Sequence, residues 1–103
     1  MTLTDPSPTA PALGVVSLQR PEDADASRLE AELQGRIAVG TQVLVVDVGE
    51  IKLLDRAAMG VLAGAAIRLQ EERSGSVVLR NASAGMLKQL RLLRLDHVFE
   101  LEI

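Results

Sequence analysis

The sequence is almost devoid of aromatic residues, since Phe99 is the one aromatic among its 103 residues. Binding of single-stranded nucleic acid or RNA by base stacking needs aromatic platforms, so this scarcity argues against that class of function. Basic residues are also scarce, because 11 Lys and Arg accompany 14 Asp and Glu for a formal net charge of −3. A protein that tracks a phosphate backbone carries a basic surface, and this charge balance lacks one.

Cysteine is absent, which excludes disulfides, thiol nucleophiles and Cys-ligated metal sites together. The single histidine, His97, excludes a zinc site with two His ligands, and it has no nearby Ser to begin a triad. No set of acid, base and nucleophile can be assembled from the remaining residues. We therefore expect a protein that is not an enzyme and that uses no cofactor and no metal.

Long apolar runs are missing too, and no stretch approaches the roughly 20 residues of a membrane span. Residues 1–12 contain no Lys or Arg, so they do not resemble a secretory signal, and we expect a cytoplasmic protein. The same segment carries Pro6, Pro8 and Pro11, which disfavour helices and strands. The sequence thus predicts a flexible Pro-rich N-terminal tail over 1–12 and one domain over 13–103.

What the chain does contain is a regular alternation of strand and helix patterns. Strands are predicted over 13–18, 43–48, 77–79 and 98–103, and helices over 24–37, 55–73 and from Ser83 to about residue 93. The apolar run from Val43 to Val48 is typical of a strand that helices cover on both faces. This order predicts an α/β fold with a mainly parallel central sheet of about four to five strands and helices packed on it.

The small residues of the second helix and the inner face of the third give two further expectations. Gly60 and Gly64 lie among many alanines in the helix over 55–73, which predicts unusually close contact between this helix and the sheet. In the third helix, the predicted inner face consists of Met86, Leu87, Leu90 and Leu93.

Asp47 lies at the end of a predicted strand, where phosphorylated receiver domains and nucleotide-binding proteins place a functional Asp. Neither interpretation holds. A receiver needs further acids after its first strand and a nucleotide site needs a Gly-rich phosphate loop, and the sequence has neither.

Asp55 is a credible N-cap for the second helix, whereas Arg56 places a cation in the first turn, where the helix dipole disfavours it. Arg56 either pairs with Asp55 or Glu50 on the surface or marks the helix start as a partner surface.

Four segments in the expected order and spacing resemble the STAS domain family, and within it the bacterial anti-sigma factor antagonists. These are Val43–Val48 followed by Ile51 and Leu53-Leu54-Asp55, then Asp55–Gly60, then Gly75–Asn81, and finally Leu90–Leu101. Members of this family usually carry Asp-Ser-Ser-Gly-Leu-Gly or Asp-Ser-Thr-Gly-Leu-Gly where this chain has Asp55–Gly60. The resemblance covers about residues 13–103 and implies a STAS-like domain.

In the family, the first Ser after this Asp is phosphorylated by a partner that is both anti-sigma factor and serine kinase. The unphosphorylated antagonist binds that partner and releases the sigma factor, and phosphorylation breaks the complex by adding charge at the interface. Here the position is Arg56, and no hydroxyl residue occurs between Val48 and Ser74. The early Gly-x-Leu-Asp segment of the family is reduced to one matching residue, Asp23.

The resemblance therefore implies an anti-sigma factor antagonist-like module that binds an anti-sigma factor/serine kinase-like protein without the usual switch. The expected partner-binding residues are Asp55, Arg56, Ala57, Ala58, Met59 and Asp23. An alternative is a STAS subunit or scaffold of another assembly, such as a lipid-transport or stress-signalling complex.

A nucleotide or small-molecule sensor ranks last, because nothing in the sequence marks a binding pocket for such a ligand. A homodimer through the edge strand near 13–18 is a further expectation, provided that the tail leaves that edge uncovered.

Overall fold

A four-stranded parallel sheet organises the part of the chain that the computed structural model describes, residues 13–102. The strands lie in the order β1-β2-β3-β4, and three helices and one short 3-10 helix connect them. Their bounds are β1 Leu13–Ser17, the 3-10 helix Pro21–Ala24, α1 Ala26–Ala38, β2 Val43–Asp47, α2 Arg56–Arg73, β3 Ser76–Arg80, α3 Ala84–Leu92 and β4 Glu100–Glu102. Every neighbouring pair of strands is parallel, which confirms the predicted α/β fold. The predicted tail over 1–12 and Ile103 lie outside the described residues.

One face of the sheet carries the hydrophobic core. Alternate residues of β2 and β3 point to this face and are fully buried, namely Leu44, Val46, Val77 and Leu79. They join the buried side chains of all three helices in one cluster, which the single aromatic residue, Phe99, also enters. Burial of a Leu-sized side chain contributes about 1.5–3 kcal/mol, so this one-sided core supplies most of the driving force for folding.

No helix within residues 13–102 packs on the opposite face of the sheet, which we call the open face, and this corrects the expectation that helices cover β2 on both sides. Val15, Val45 and Val78 are in register on this face, and Val45 does not belong to the core cluster although it is buried. At the edge, Val15 is 44% exposed. The apolar residues of β2 on its second face therefore belong to a row of valines across three strands and not to a second contact with helices.

Short polar side chains fix the start of each helix. The carboxylates of Asp25 and Asp55 and the hydroxyl of Ser83 accept hydrogen bonds from the backbone N–H groups of Arg28, Ala58 and Met86. The predicted start of the first helix is two residues too early, because Pro21–Ala24 forms the separate 3-10 helix. All three caps satisfy N–H groups that have no acceptor within their own helix.

Two packing expectations are wrong. A Cβ placed on Gly60 or Gly64 would meet nothing within 4 Å, so α2 does not press these glycines against the sheet. They line an open groove between α1 and α2 instead. Leu93 is 39% exposed and does not belong to the inner face of α3, which consists of buried Met86 and Leu90 with half-buried Leu87.

None of the helices within residues 13–102 has the length and apolar character needed to cross a membrane.

Candidate partner-docking surface

The loop between β2 and α2, residues 48–55, presents an exposed leucine from a buried framework. Ile51 and Leu54 are 6% and 2% exposed and anchor the loop in the core, whereas Leu53 between them is 62% exposed. The backbone N–H of Ile51 donates to the carbonyl of Val48 over 3.0 Å, which forms a tight turn after β2. Leu53 is therefore held in solvent by its neighbours.

Helix α3 fastens this loop from the side. The amide of Gln89 bonds to both backbone groups of Leu54, accepting from its N–H and donating to its carbonyl. The hydroxyl of Ser83 donates to the carbonyl of Lys52 over 3.0 Å while it caps α3. These bonds join the loop to a helix more than 30 residues away in the sequence.

Asp55 and Arg56 begin α2 directly after the loop. The Asp55 carboxylate accepts from the backbone N–H of Ala58 over 2.7 Å, as predicted for an N-cap. Arg56 is exposed, and within residues 13–102 it forms no ion pair, so the predicted pairing with Asp55 or Glu50 is not observed. A cation in the first turn of a helix faces the positive end of the helix dipole, so its position is locally unfavourable by a few tenths of a kcal/mol.

The first turn of α2 divides the predicted partner-binding residues into two groups. Asp55, Arg56 and Ala57 are exposed, whereas Ala58 and Met59 are 0% and 1% exposed and lie in the core. The structure therefore removes Ala58 and Met59 from any surface that a partner can contact. We define the docking surface as the exposed residues that remain together here: Lys52, Leu53, Asp55, Arg56 and Ala57.

Asp23, the remaining predicted residue, lies on the 3-10 helix outside this surface and is used within the fold. Its carboxylate accepts from the backbone N–H groups of Gln19 and Arg20 at 3.0 Å each, and it lies 3.8 Å from the guanidinium of Arg28. The hydrogen bond from the Arg20 N–H is the largest cause that lowers the pKa of Asp23 below its ordinary value. Asp23 thus holds the turn between β1 and α1.

A groove of about 950 Å³ separates the 3-10 helix from the loop that carries Leu53. Its walls include Glu22 and Asp25 on one side and Glu50 and Lys52 on the other. Among the described residues, no group of three His, Asp or Glu side chains is placed to hold a metal ion. The groove is a recess beside the docking surface, with apolar walls and a charged rim.

Sequence reasoning missed the two residues that define the geometry, Leu53 and Gln89. Ile51, Leu53 and Leu54 are three large apolar residues in one short loop. That pattern is a signal for one exposed leucine. The hydrogen bonds between Gln89 and the backbone of Leu54 have no comparable signal in the sequence, because they depend on how α3 packs against the loop.

The structure is a small α/β domain that presents an exposed leucine and an exposed cation where β2 leads into α2. A family model described as "Mlab, STAS domain" matches residues 12–102, so the chain belongs to the STAS domain family. STAS domains generally mediate protein–protein interaction, and the family is compatible with a regulatory binding module. No curated protein and no solved structure matches the chain.

Proposed function

We propose that this protein is a constitutive docking module that binds a partner protein through the docking surface. The observation that carries the proposal is Leu53, a 62%-exposed leucine between buried Ile51 and Leu54. The neighbouring backbone is already anchored through Leu54 and Gln89, so little backbone freedom is lost when a partner covers Leu53. Leu53 therefore serves as the anchor, and the function is binding without catalysis.

Arg56 gives the proposed interface its polarity. Its guanidinium has no ion-pair partner across residues 13–102, so it is available to an acidic side chain on another protein. Charged groups at the rim of an interface set partner choice and association rate more than affinity. The complementary partner surface is an apolar pocket for Leu53 beside one or more carboxylates.

The partner we propose is an anti-sigma factor/serine kinase-like protein, whose capture releases a sigma factor for transcription in the bacterial cytoplasm. In related antagonists, phosphorylation of the residue after the conserved Asp ends the interaction. Arg56 occupies that position here, and the chain has no hydroxyl residue from Val48 to Arg73. The complex therefore persists in the presence of ATP, and partner switching at this position is absent.

A second candidate is a permanent subunit of another assembly, such as a lipid-transport or stress-signalling complex. One observation favours it, the absence of a phosphorylatable residue in the docking surface. In that assembly the same surface docks on a subunit that is not an anti-sigma kinase. Binding assays against both kinds of partner separate the two candidates.

The test measures the affinity of the purified protein for the anti-sigma kinases of its host, with and without ATP. Leu53→Asp and Arg56→Asp should each weaken binding about tenfold or more, which corresponds to about 1.4 kcal/mol. Val39→Asp is the matched control, because Val39 is 81% exposed at the end of α1, opposite the docking surface. Binding that both docking-surface variants leave unchanged contradicts the proposed surface, and binding to no kinase contradicts the proposed partner.

Arg56→Ser tests the lost switch separately. In complex with a kinase of this class, the variant should incorporate phosphate on the introduced serine, whereas the natural chain should incorporate none between residues 48 and 73. Mass spectrometry after incubation with ATP measures both. A variant that binds but stays unmodified would show that Arg56 does not occupy the phosphoacceptor position.

A further inference from the structure

The two edges of the sheet differ in how well they are protected from pairing with another strand. β4 has three residues, and two of them are the exposed acids Glu100 and Glu102. Short, charged edge strands are a common protection against unwanted pairing. β1 has five residues, Leu-Gly-Val-Val-Ser, with no charge and no proline, and its regular register with β2 contains no bulge.

Hydrogen bonding to β2 determines which backbone groups of β1 face outward. The N–H of Leu18 donates to the carbonyl of Asp47 over 2.9 Å, and Ser17 is the register partner of Asp47. In a parallel ladder alternate residues bond to the same neighbour, so the even-numbered residues of β1 face β2. The N–H and C=O groups of Leu13, Val15 and Ser17 therefore point to the other side, where no strand from the described part of the chain pairs with them.

The side chains of β1 continue the open face of the sheet up to this edge. Val15, Val45 and Val78 form one apolar row in register across three strands. The row ends at Val15, which is 44% exposed, next to Leu13, which is 66% exposed. An uncharged apolar row that stops at an unpaired edge is suited to continuation by another strand.

We propose that the outer edge of β1 pairs antiparallel with β1 of a second copy of this chain, across a twofold axis at Val15. The outward-bonding residues Leu13, Val15 and Ser17 are symmetric about Val15, which is the arrangement that an isologous interface needs. Val15 then lies opposite Val15 of the second copy, and Leu13 opposite Ser17. Each of these pairs exchanges both of its N–H···O bonds.

The pairing joins the two valine rows into one apolar stripe, and the strand residues that it brings into opposition, Leu13, Val15 and Ser17, are uncharged. On the helix side, Arg28, Glu32 and Arg36 of α1 border Val15 and Ser17, so groups of both signs flank the axis. A second copy also suits this edge better than residues 1–11 of the same chain, because Pro6, Pro8 and Pro11 have no N–H to donate. The result is one continuous sheet built from two copies.

This dimer is independent of the proposed docking function. The docking surface follows the carboxyl end of β2, and antiparallel pairing of the two β1 strands places the two such ends at opposite ends of the joined sheet. The dimer therefore presents two docking surfaces that point in opposite directions. Each copy can bind its own partner molecule.

The absence of cysteine makes the register directly testable by cross-linking. Val15→Cys places two thiols on residues whose Cα atoms are about 5.5 Å apart across the axis, within the range that a disulfide spans. Val78→Cys is the matched control, because five strand spacings of about 4.8 Å separate the two copies of residue 78 by about 24 Å. Under oxidising conditions the full-length Val15→Cys variant should form a covalent dimer, and Val78→Cys should stay monomeric on a non-reducing gel.

Sedimentation equilibrium of the natural chain, which contains no cysteine, tests the association itself. Val15→Lys places two ammonium groups opposite each other at the axis and should raise the dimer dissociation constant at least tenfold. Leu92→Lys adds the same charge at a 74%-exposed site on α3, the helix between β3 and β4 at the other edge of the sheet, and should leave the constant unchanged. Circular dichroism of both variants ensures that a lost dimer does not reflect a lost fold.

Three results would overturn the proposal. A natural chain that remains monomeric up to millimolar concentration has no such dimer. Cross-linking of Val78→Cys as efficiently as Val15→Cys would indicate packing between open faces rather than edges. A full chain that is monomeric and dimerises only after deletion of residues 1–11 would show that this segment, not a second copy, occupies the edge.

Discussion

The fold requires a glycine at position 75, between α2 and β3, because a side chain would not fit there. A Cβ at this position would overlap the backbone carbonyl oxygen of Gln42, the atom that accepts from the N–H of Ser76 at the start of β3. Since neither backbone can move without breaking that bond, Gly75→Ala should lower the free energy of unfolding by about 1–3 kcal/mol. Urea denaturation of the variant measures the loss.

Gly60 is the control within the same protein, because it lies in the interior of α2 and a methyl group added there would have nothing within 4 Å. Gly60→Ala should raise the free energy of unfolding by about 0.5–1 kcal/mol, since alanine restricts the unfolded chain and favours helix. Equal effects of the two substitutions would mean that the close approach at Gly75 is not a constraint.

Local chemistry decides how far single residues could be predicted. The N-cap role of Asp55 is predictable because a short polar side chain directly before a helical pattern has few other uses. The motif predicts Ala58 and Met59 on the partner surface because they follow Asp55 in sequence. The helical period of α2 directs both side chains into the core instead. The same helical period leaves the side chain of Arg56 exposed to solvent.

At the scale of elements, the contact between α3 and the β2–α2 loop links packing to the proposed function. Gln89→Met keeps the length of the side chain but removes both hydrogen bonds to the backbone of Leu54. Leaving two partly buried backbone groups without partners should cost about 1–3 kcal/mol and loosen residues 48–55. Amide hydrogen exchange should show reduced protection at Leu54.

Lys88→Met provides the comparison, since Lys88 is an exposed neighbour on the same helix. It should leave exchange in the loop unchanged. If Gln89→Met also leaves the loop as protected as in the natural protein, the anchoring by Ile51 and Leu54 is sufficient, and α3 does not position the docking surface.

Element types were predictable from periodicity, whereas their arrangement was not. Local spacing indicates the helix predicted over 24–37, and the apolar run from Val43 to Val48 indicates a strand. The sheet order β1-β2-β3-β4 means that each connection advances in the same direction, so connections of one hand place all helices on one face. No local pattern contains that order, which is why the open valine face was missed.

At the scale of the whole molecule, the ends of α1 and α2 and the start of β2 meet at the end of the sheet that lies away from the docking surface. The guanidinium of Arg73, in the last turn of α2, donates to the carbonyls of Ile37 at the end of α1 and Thr41 before β2, over 2.6 and 3.1 Å. The side chain of Gln42 donates back to the carbonyl of Arg73 over 2.9 Å. One charged side chain thus joins α1, α2 and the start of β2.

Arg73→Met should therefore destabilise the whole domain rather than one helix end. The substitution keeps most of the aliphatic stem but leaves the Ile37 and Thr41 carbonyls without their charged donor, and hydrogen bonds to charged groups contribute about 1.5–3 kcal/mol. Because these carbonyls belong to separate elements, we expect a single cooperative urea transition with its midpoint shifted downward. Arg91→Met, at an exposed position in the last turn of α3, is the control and should change the free energy of unfolding by less than about 0.5 kcal/mol. Equal stability of the two variants, or a separate early transition for α1, would show that Arg73 does not tie these elements together.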